Sequence, residues 1–210
     1  MTDMPTVFLV DDDGPTLRSL ALMLNLAGYR VREYGSANDF LRAYSAGQPG
    51  CLVLDLRMPE MTGLELQKAL REKGCAIPII FLSAFGDIPT SVQAIKAGAV
   101  DFLEKPIGTS ELLARIDEAL TEDRLAREDA AEALEIRERA AQLTPRESEV
   151  MVLATKGLTN KEIARHLGIS PRTVENHRAR VMEKMQADNI ADLCQMAAVC
   201  ALSEPAPPPA

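Results

Sequence analysis
The sequence predicts an α/β domain with a parallel sheet covered by helices on both faces, then a linker helix and a small all-α domain of four helices. Three observations lead there. The first 120 residues alternate five short apolar runs with five helical patterns, and that repetition requires parallel strands. Thr121 to Gln142 contains no Gly or Pro and is dominated by Ala, Glu and Arg. The remainder breaks into short helical patterns punctuated by Gly157 and Gly168.

Thr6 to Val10 is an apolar run of β-formers that ends in Asp11-Asp12-Asp13-Gly14-Pro15. Leu17, Leu20 and Leu24 then recur with helical spacing, and Gly28 closes the helix. Arg30 to Tyr34 alternates as a strand, and Ser36 opens a second helix that runs through Phe40, Leu41 and Tyr44 to Gly47. In the third run, Cys51 to Leu56 is apolar except for Asp55, and Pro59 stops it. A carboxylate at the end of a buried strand is unusual unless it is paired, bound to a metal or used chemically. A third helix carries Leu64, Leu66, Ala69 and Leu70. Pro78 to Ser83 is the fourth strand, Asp87 to Ala97 the fourth helix, and Val100 to Glu104 the fifth strand. The fifth helix is expected to start with Ser110 as its N-cap and to bury Leu112, Leu113, Ile116 and Leu120.

Composition narrows the class. The chain has 210 residues, 47% of them hydrophobic, and a formal net charge of -8, which argues against indiscriminate coating of nucleic acid. No apolar run approaches the roughly 20 residues that span a bilayer, and Met1 to Pro5 does not resemble a signal peptide, so a cytoplasmic protein is expected. Cys51, Cys75, Cys194 and Cys200 lack metal-binding spacing and read as reduced thiols. The two histidines, His166 and His177, stand apart from any pattern of nucleophile and acid.

In open parallel sheets, functional groups collect at the carboxyl ends of the strands. Those ends carry Asp11 and Asp12, Asp55, Ser83 and Lys105. Clustered carboxylates raise one another's pKa unless a cation lies among them. A hard divalent ion such as Mg²⁺ meets that need and also binds phosphoryl oxygens. With such an ion and the Lys105 ammonium neutralising an incoming phosphoryl group, and Ser83 donating to it, Asp55 is a plausible nucleophile.

Asp11-Asp12, the segment Leu52 to Pro59 with Gly63, Ser83, Phe102 and Lys105-Pro106 together resemble the receiver domain of two-component response regulators. The resemblance covers the first 120 residues or so and implies a flavodoxin-like (βα)5 fold. It also implies that Asp55 accepts phosphate from a phosphohistidine and that Mg²⁺ (or Mn²⁺) is held by Asp12, Asp55 and the backbone carbonyl of Arg57, with Asp11 acting through a water. Lys105 would contact the phosphoryl group and precede a cis bond to Pro106, and Ser83 and Phe102 would form a switch pair. Taken singly, Phe102 reads as a core aromatic, Ser83 as a strand-end cap and Asp13 as a solvated turn residue. A rival places Asp11 in the nucleophile loop of haloacid-dehalogenase-type phosphatases, but Pro15 disturbs that loop and Asp55 is left without a role.

Residues 122 to 141 hold 7 acidic and 4 basic side chains. The pairs Asp123/Arg127 and Glu135/Arg139 are spaced for i,i+4 support, so a solvated, semi-rigid helical spacer is expected. Thr144-Pro145 opens the next helix, with Val150, Met151 and Leu153 or Ala154 buried. Asn160 to Leu167 forms another, and Gly168-Ile169-Ser170 turns into a third that runs to Met185, a helix-turn-helix pattern. Residues 156 to 184 hold 7 basic and 3 acidic side chains, a local phosphate-binding footprint in an acidic chain. Ile190 to Ala201 is a fourth apolar helix, and Ser203 to Ala210 is a Pro-rich tail expected to be disordered.

Leu143-Thr-Pro-Arg-Glu147, Gly157-Leu-Thr-Asn-Lys161, Ile163-Ala164 and Ser170 to Met185 resemble the LuxR-type DNA-binding domain of FixJ-class regulators in the FixJ/NarL family. The resemblance implies that the third of these helices enters the major groove. Glu175, Asn176 and Ala179 would face base edges, and Lys161, Arg172, Thr173, Arg178, Arg180 and Lys184 would hold phosphates. His177 is expected to be structural. The domains expected are a receiver at 1–121, a linker at 122–141, a DNA-binding domain at 142–203 and the tail at 204–210. Implied partners are a sensor histidine kinase, double-stranded promoter DNA, RNA polymerase and a second copy upon phosphorylation, with no membrane. Such a protein is a transcription factor without a separate substrate, turning over only its own aspartyl phosphate.

Overall fold
The computed structural model describes residues 4–84 and 88–200. Asp87, expected to open the fourth helix, and the tail at 204–210 lie outside the described residues. The chain divides into two compact units between Arg127 and Glu128.

In the first unit, strands β1 (Thr6–Val10), β2 (Arg30–Tyr34), β3 (Gly50–Asp55), β4 (Ile79–Ser83) and β5 (Asp101–Glu104) form one parallel sheet in the order β2-β1-β3-β4-β5. β1 and β4 are buried along their whole length, as strands covered on both faces must be. β2 exposes Arg30, Arg32 and Glu33, whose charges suit an edge. Strand alternation splits the core in two. Phe8, Val10, Leu52, Leu54 and Phe81 point to one face, packed with α2 (Ala37–Ala43) and α3 (Gly63–Glu72) through Phe40, Leu66 and Leu70. Val7, Leu9, Val53, Ile80 and Leu82 point to the other, under α1 (Gly14–Leu26) and the start of α5 (Thr109–Ala140) through Leu17, Leu24, Leu112 and Ile116. The fourth helix, α4, spans Ile88–Lys96.

Three local expectations need correction. α2 stops at Ala43, short of Gly47, because Tyr44 turns into extended backbone and stacks its ring on Phe40 at 5.0 Å. α5 begins ahead of Ser110, since the Gly108 carbonyl already accepts from the Leu112 N–H at 3.1 Å, so Ser110 lies in the first turn and not at the cap. Asp13 is more than a solvated turn residue, because its carboxylate caps α1 through the Thr16 N–H.

Gly63 opens α3 directly beneath the end of β3. A β-carbon there would lie 2.5 Å from the Asp55 carbonyl oxygen and 2.8 Å from the Phe81 ring. Gly63→Ala is therefore predicted to cost about 1–3 kcal/mol of stability through overpacking; an unchanged denaturation midpoint would count against this close approach.

α5 is a single 32-residue helix about 48 Å long, so the linker continues the fifth helix without a break. It is not uniformly solvated. Asp123 is 6% exposed in the first unit, and Ile136 is 6% exposed in the second.

The second unit completes its core with α6 (Pro145–Thr155), α7 (Asn160–Leu167), α8 (Pro171–Met185) and α9 (Ile190–Cys200). α6 is buried from Val150 to Ala154, more fully than one stripe would be. Val150, Leu153, Ile163, Leu167 and Val174 make one cluster. Ile136, Met151, Val181, Met185 and Leu193 make another. Gly168 ends α7 in the left-handed conformation (φ 67), which a side chain would strain, and Ser170 caps α8 through the Thr173 N–H. Among the described residues no helix is long and apolar enough to cross a membrane.

Candidate functional site
The sheet order places β1 and β3 side by side where the strand order reverses, so their carboxyl ends bring Asp11 and Asp55 together. Lys105, just past β5, reaches across to both. Its ammonium donates to Asp11 Oδ2 and to Asp55 Oδ1, each at 2.7 Å. The remaining oxygens are also engaged, with Asp55 Oδ2 accepting from the Arg57 N–H at 2.7 Å and Asp11 Oδ1 from the Asp13 N–H at 2.9 Å. The Lys105-Pro106 bond is cis, as expected.

Burial sets the electrostatics. The side chains of Asp11 and Asp55 are 6% and 11% exposed. Burial lifts the Asp55 carboxyl above its ordinary range, further than the Lys105 ammonium and the Arg57 N–H pull it down, and the Asp11 charge adds to the rise. For Lys105, burial works against the charged form, but the bonds to Asp11 and Asp55 outweigh it and raise the ammonium's pKa. Two buried acids thus share one cation.

Asp12 is exposed on the wall of a polar cleft of about 640 Å³ that also includes Ser36, Asn38 and Glu60. Among the described residues no three acids, histidines or cysteines are grouped closely enough to hold a metal. The donor chemistry nevertheless fits Mg²⁺, which needs only one or two carboxylates plus waters, since every atom offered here is a hard oxygen and the charge of the buried acids exceeds that of Lys105. Ser83 is buried at the end of β4, and its carbonyl accepts from the Lys105 N–H at 2.8 Å. Phe102 lies opposite Phe81 in the β4–β5 register, stacked at 6.1 Å and partly open to solvent.

In the second unit, α8 buries Val174, Val181 and Met185 and exposes Arg172, Glu175, Asn176, Ala179 and Arg180. Lys161 on α7 is exposed too. Thr173 is half-buried in the Ser170 cap, and Arg178 donates to Asn160 on α7 at 3.1 Å. Lys184 is engaged within the domain: its ammonium lies 2.6 Å from Glu147 and 3.1 Å from the Gln142 carbonyl, and so ties α8 to the start of α6. Glu147, in the first turn of α6, is itself buried. We therefore predict that Arg180→Ala lowers the salt slope of DNA binding by about 1, whereas Lys184→Ala leaves it unchanged. Affinities measured across a salt series check both.

A parallel sheet in this order, with acids and a lysine at its carboxyl rim and a helix-turn-helix unit after it, is the architecture of a response regulator. Comparison with known proteins agrees. Residues 7–117 match the response regulator receiver domain, and residues 141–197 match the luxR family of bacterial regulatory proteins. The transcriptional regulatory protein FixJ of Rhizobium meliloti is 45% identical over 197 residues, covering 94% of this chain and 96% of that protein. The FixJ of Bradyrhizobium diazoefficiens is 42% identical over the same shares. Among solved structures, the response regulator StyR superposes with a TM-score of 0.83 at 40% identity, covering 93% of this chain and 99% of that one. Full-length FixJ from B. japonicum gives 0.57 at 39% identity, covering 97% and 100%.

The chain belongs to the FixJ-like two-component response regulators: it is a transcription regulator with a receiver domain and a LuxR-type DNA-binding domain. That membership removes the phosphatase alternative. Receiver domains generally bind Mg²⁺ at their acidic phosphorylation site.

Proposed function
We propose that Asp55 is the phosphoacceptor of this regulator and that its phosphorylation by a sensor histidine kinase switches dimerisation and promoter binding. The observation that carries this reading is the shared ammonium: Lys105 holds Asp55 and Asp11 together at 2.7 Å each. In the transfer, an Asp55 oxygen attacks the phosphorus of a phosphohistidine. The P–N bond breaks, and the imidazole, protonated on its other nitrogen, leaves as a neutral ring. Asp12, Asp55 and the Arg57 carbonyl would hold Mg²⁺, with Asp11 acting through a water; the bound ion would neutralise the phosphoryl oxygens. Lys105 steadies the acceptor and meets the incoming charge. Ser83 donates its hydroxyl to the phosphoryl group, and Phe102, half-exposed on Phe81, turns inward behind it. Slow hydrolysis of the aspartyl phosphate resets the switch.

In the second unit, Glu175, Asn176 and Ala179 face the bases, while Lys161, Arg172, Thr173, Arg178 and Arg180 hold the phosphates. Their exposure or partial exposure on α7 and α8 leaves them accessible to DNA. The functional domains are taken as 1–121, 122–141 and 142–203, and the protein acts in the cytoplasm, where its DNA and RNA polymerase lie. Equilibrium sedimentation and DNA affinity, each measured with and without acetyl phosphate and Mg²⁺, test the proposal. A dimer and tighter binding are expected with the donor; unchanged mass and affinity would overturn it.

A further inference from the structure
The stretch of α5 that leaves the first unit has almost no apolar hold on it. Ala119 is buried and Leu120 packs partly against the core, but from Thr121 to Glu132 Asp123 is the one buried residue and Arg127 the one half-buried residue, with all others exposed. What grips the helix there is polar. Asp123 Oδ2 accepts from the Gly50 N–H at 2.9 Å and from Arg127 Nε at 2.7 Å. Both Arg127 Nη groups donate to backbone carbonyls of the loop before β3, to Gly47 and to Gln48, at 2.6 Å each. A guanidinium fork set against a buried carboxylate and two carbonyls is geometrically specific, and the carboxylate it meets is sheltered from solvent.

Gly50 itself is packed tightly against β1. Its backbone has φ 152, and a β-carbon would collide with the Thr6 carbonyl. Gly50 also begins β3, the strand whose last residue is Asp55. One buried strand therefore has the proposed phosphoacceptor at one end and the helix clamp at the other. The unit boundary falls immediately after Arg127.

We propose that Asp123 and Arg127 are positioning residues that lock α5 to the receiver, and that this clamp makes DNA binding by the second unit depend on the state of Asp55. The inference rests on Asp55 being the phosphoacceptor. With the clamp in place, α5 leaves the receiver in one fixed phase, so a change in the receiver is passed along a continuous helix. Without it, the helix beyond Leu120 is free to fray and swivel, and the second unit no longer senses the receiver. A buried pair at i,i+4 spacing serving only local helix stability would have no such effect.

The test uses the full chain with Asp123→Asn and Arg127→Ala, and with Arg127→Lys, which keeps the charge but loses the fork, as the variant least prone to misfold. Three quantities are read: hydrogen exchange over residues 118–132, labelling of Asp55 by acetyl phosphate with Mg²⁺, and the ratio of DNA affinities with and without the phosphodonor. The DNA is a duplex enriched from random sequence by the phosphodonor-treated unsubstituted chain. Expected are at least about tenfold faster exchange, labelling within twofold of the unsubstituted chain, and an affinity ratio reduced to a third or less. An affinity ratio equal to that of the unsubstituted chain alongside faster exchange would make the clamp merely structural and overturn the proposal, as would unaltered exchange in all three variants. Absence of labelling in the unsubstituted chain would instead overturn the assignment of Asp55.

Discussion

Asp55→Asn is expected to reduce phosphate labelling by acetyl phosphate to background while the fold survives. The amide keeps the shape of the carboxylate but removes the nucleophile, so no aspartyl phosphate forms. Lys105→Ala should reduce labelling by about 10²-fold, because it removes a preorganised charge from the site of developing negative charge. The stability of Asp55→Asn separates lost chemistry from lost structure. Burial raises the Asp55 carboxyl in the folded chain, so the native state holds its proton more tightly than the unfolded state does. Such an acid makes the native state less stable as pH rises from the ordinary carboxylate range through the raised folded value. The asparagine variant should therefore melt no lower than the unsubstituted chain near neutral pH, and its melting temperature should lack that decline. A variant that labels normally would overturn the assignment of Asp55 as the phosphoacceptor.

Glu147→Ala should destabilise the second unit strongly. Glu147 is 1% exposed. Its Oε2 accepts from Lys184 at 2.6 Å and from the Thr144 N–H at 2.8 Å, completing a capping box at the start of α6. The Lys184 bond, followed by the Thr144 backbone bond, pulls its pKa from 4.5 down to about 2. Removing the carboxylate leaves the cap open and the Lys184 charge unmatched. Breaking buried pairs costs roughly 3–5 kcal/mol; the partial exposure of Lys184 places this one near about 3 kcal/mol. Against a typical total of about 5–15 kcal/mol, that should lower the melting temperature of the second unit sharply and weaken DNA binding with it. The sign with pH follows from the depressed pKa. This stabilisation is complete above about 4.5 and is lost as pH falls toward about 2, whereas Glu147→Ala should show little of that acid dependence. An acid titration of both chains checks it.

How much of this was legible beforehand varies from element to element. β1 and β2 match their expected limits because alternation and turn residues are local signals, and α7 and α8 do so because Gly168 and Ser170-Pro171 punctuate them. The acidic pair, Asp55, Ser83 and Lys105 were legible for a related reason: each ends an apolar run, and a parallel sheet gathers such ends at one rim. The C-terminal end of α2 and the start of α5 differ from expectation where a tertiary contact or a backbone bond overrode the local cue.

What the amino-acid sequence settled alone was the kind of protein, the order of its elements and which acids share the sheet's rim, since periodicity and strand ends depend on neighbours in the chain. Only the tertiary structure assigned the charges their partners. Lys184 looked like one more phosphate contact, and Asp123/Arg127 like a solvated helix pair. Their real partners lie far off, Glu147 37 residues from Lys184 and Gly50 73 residues from Asp123. Helical spacing tells which face a charge occupies, but whether that face meets water or a buried backbone amide is decided by chain segments remote in sequence.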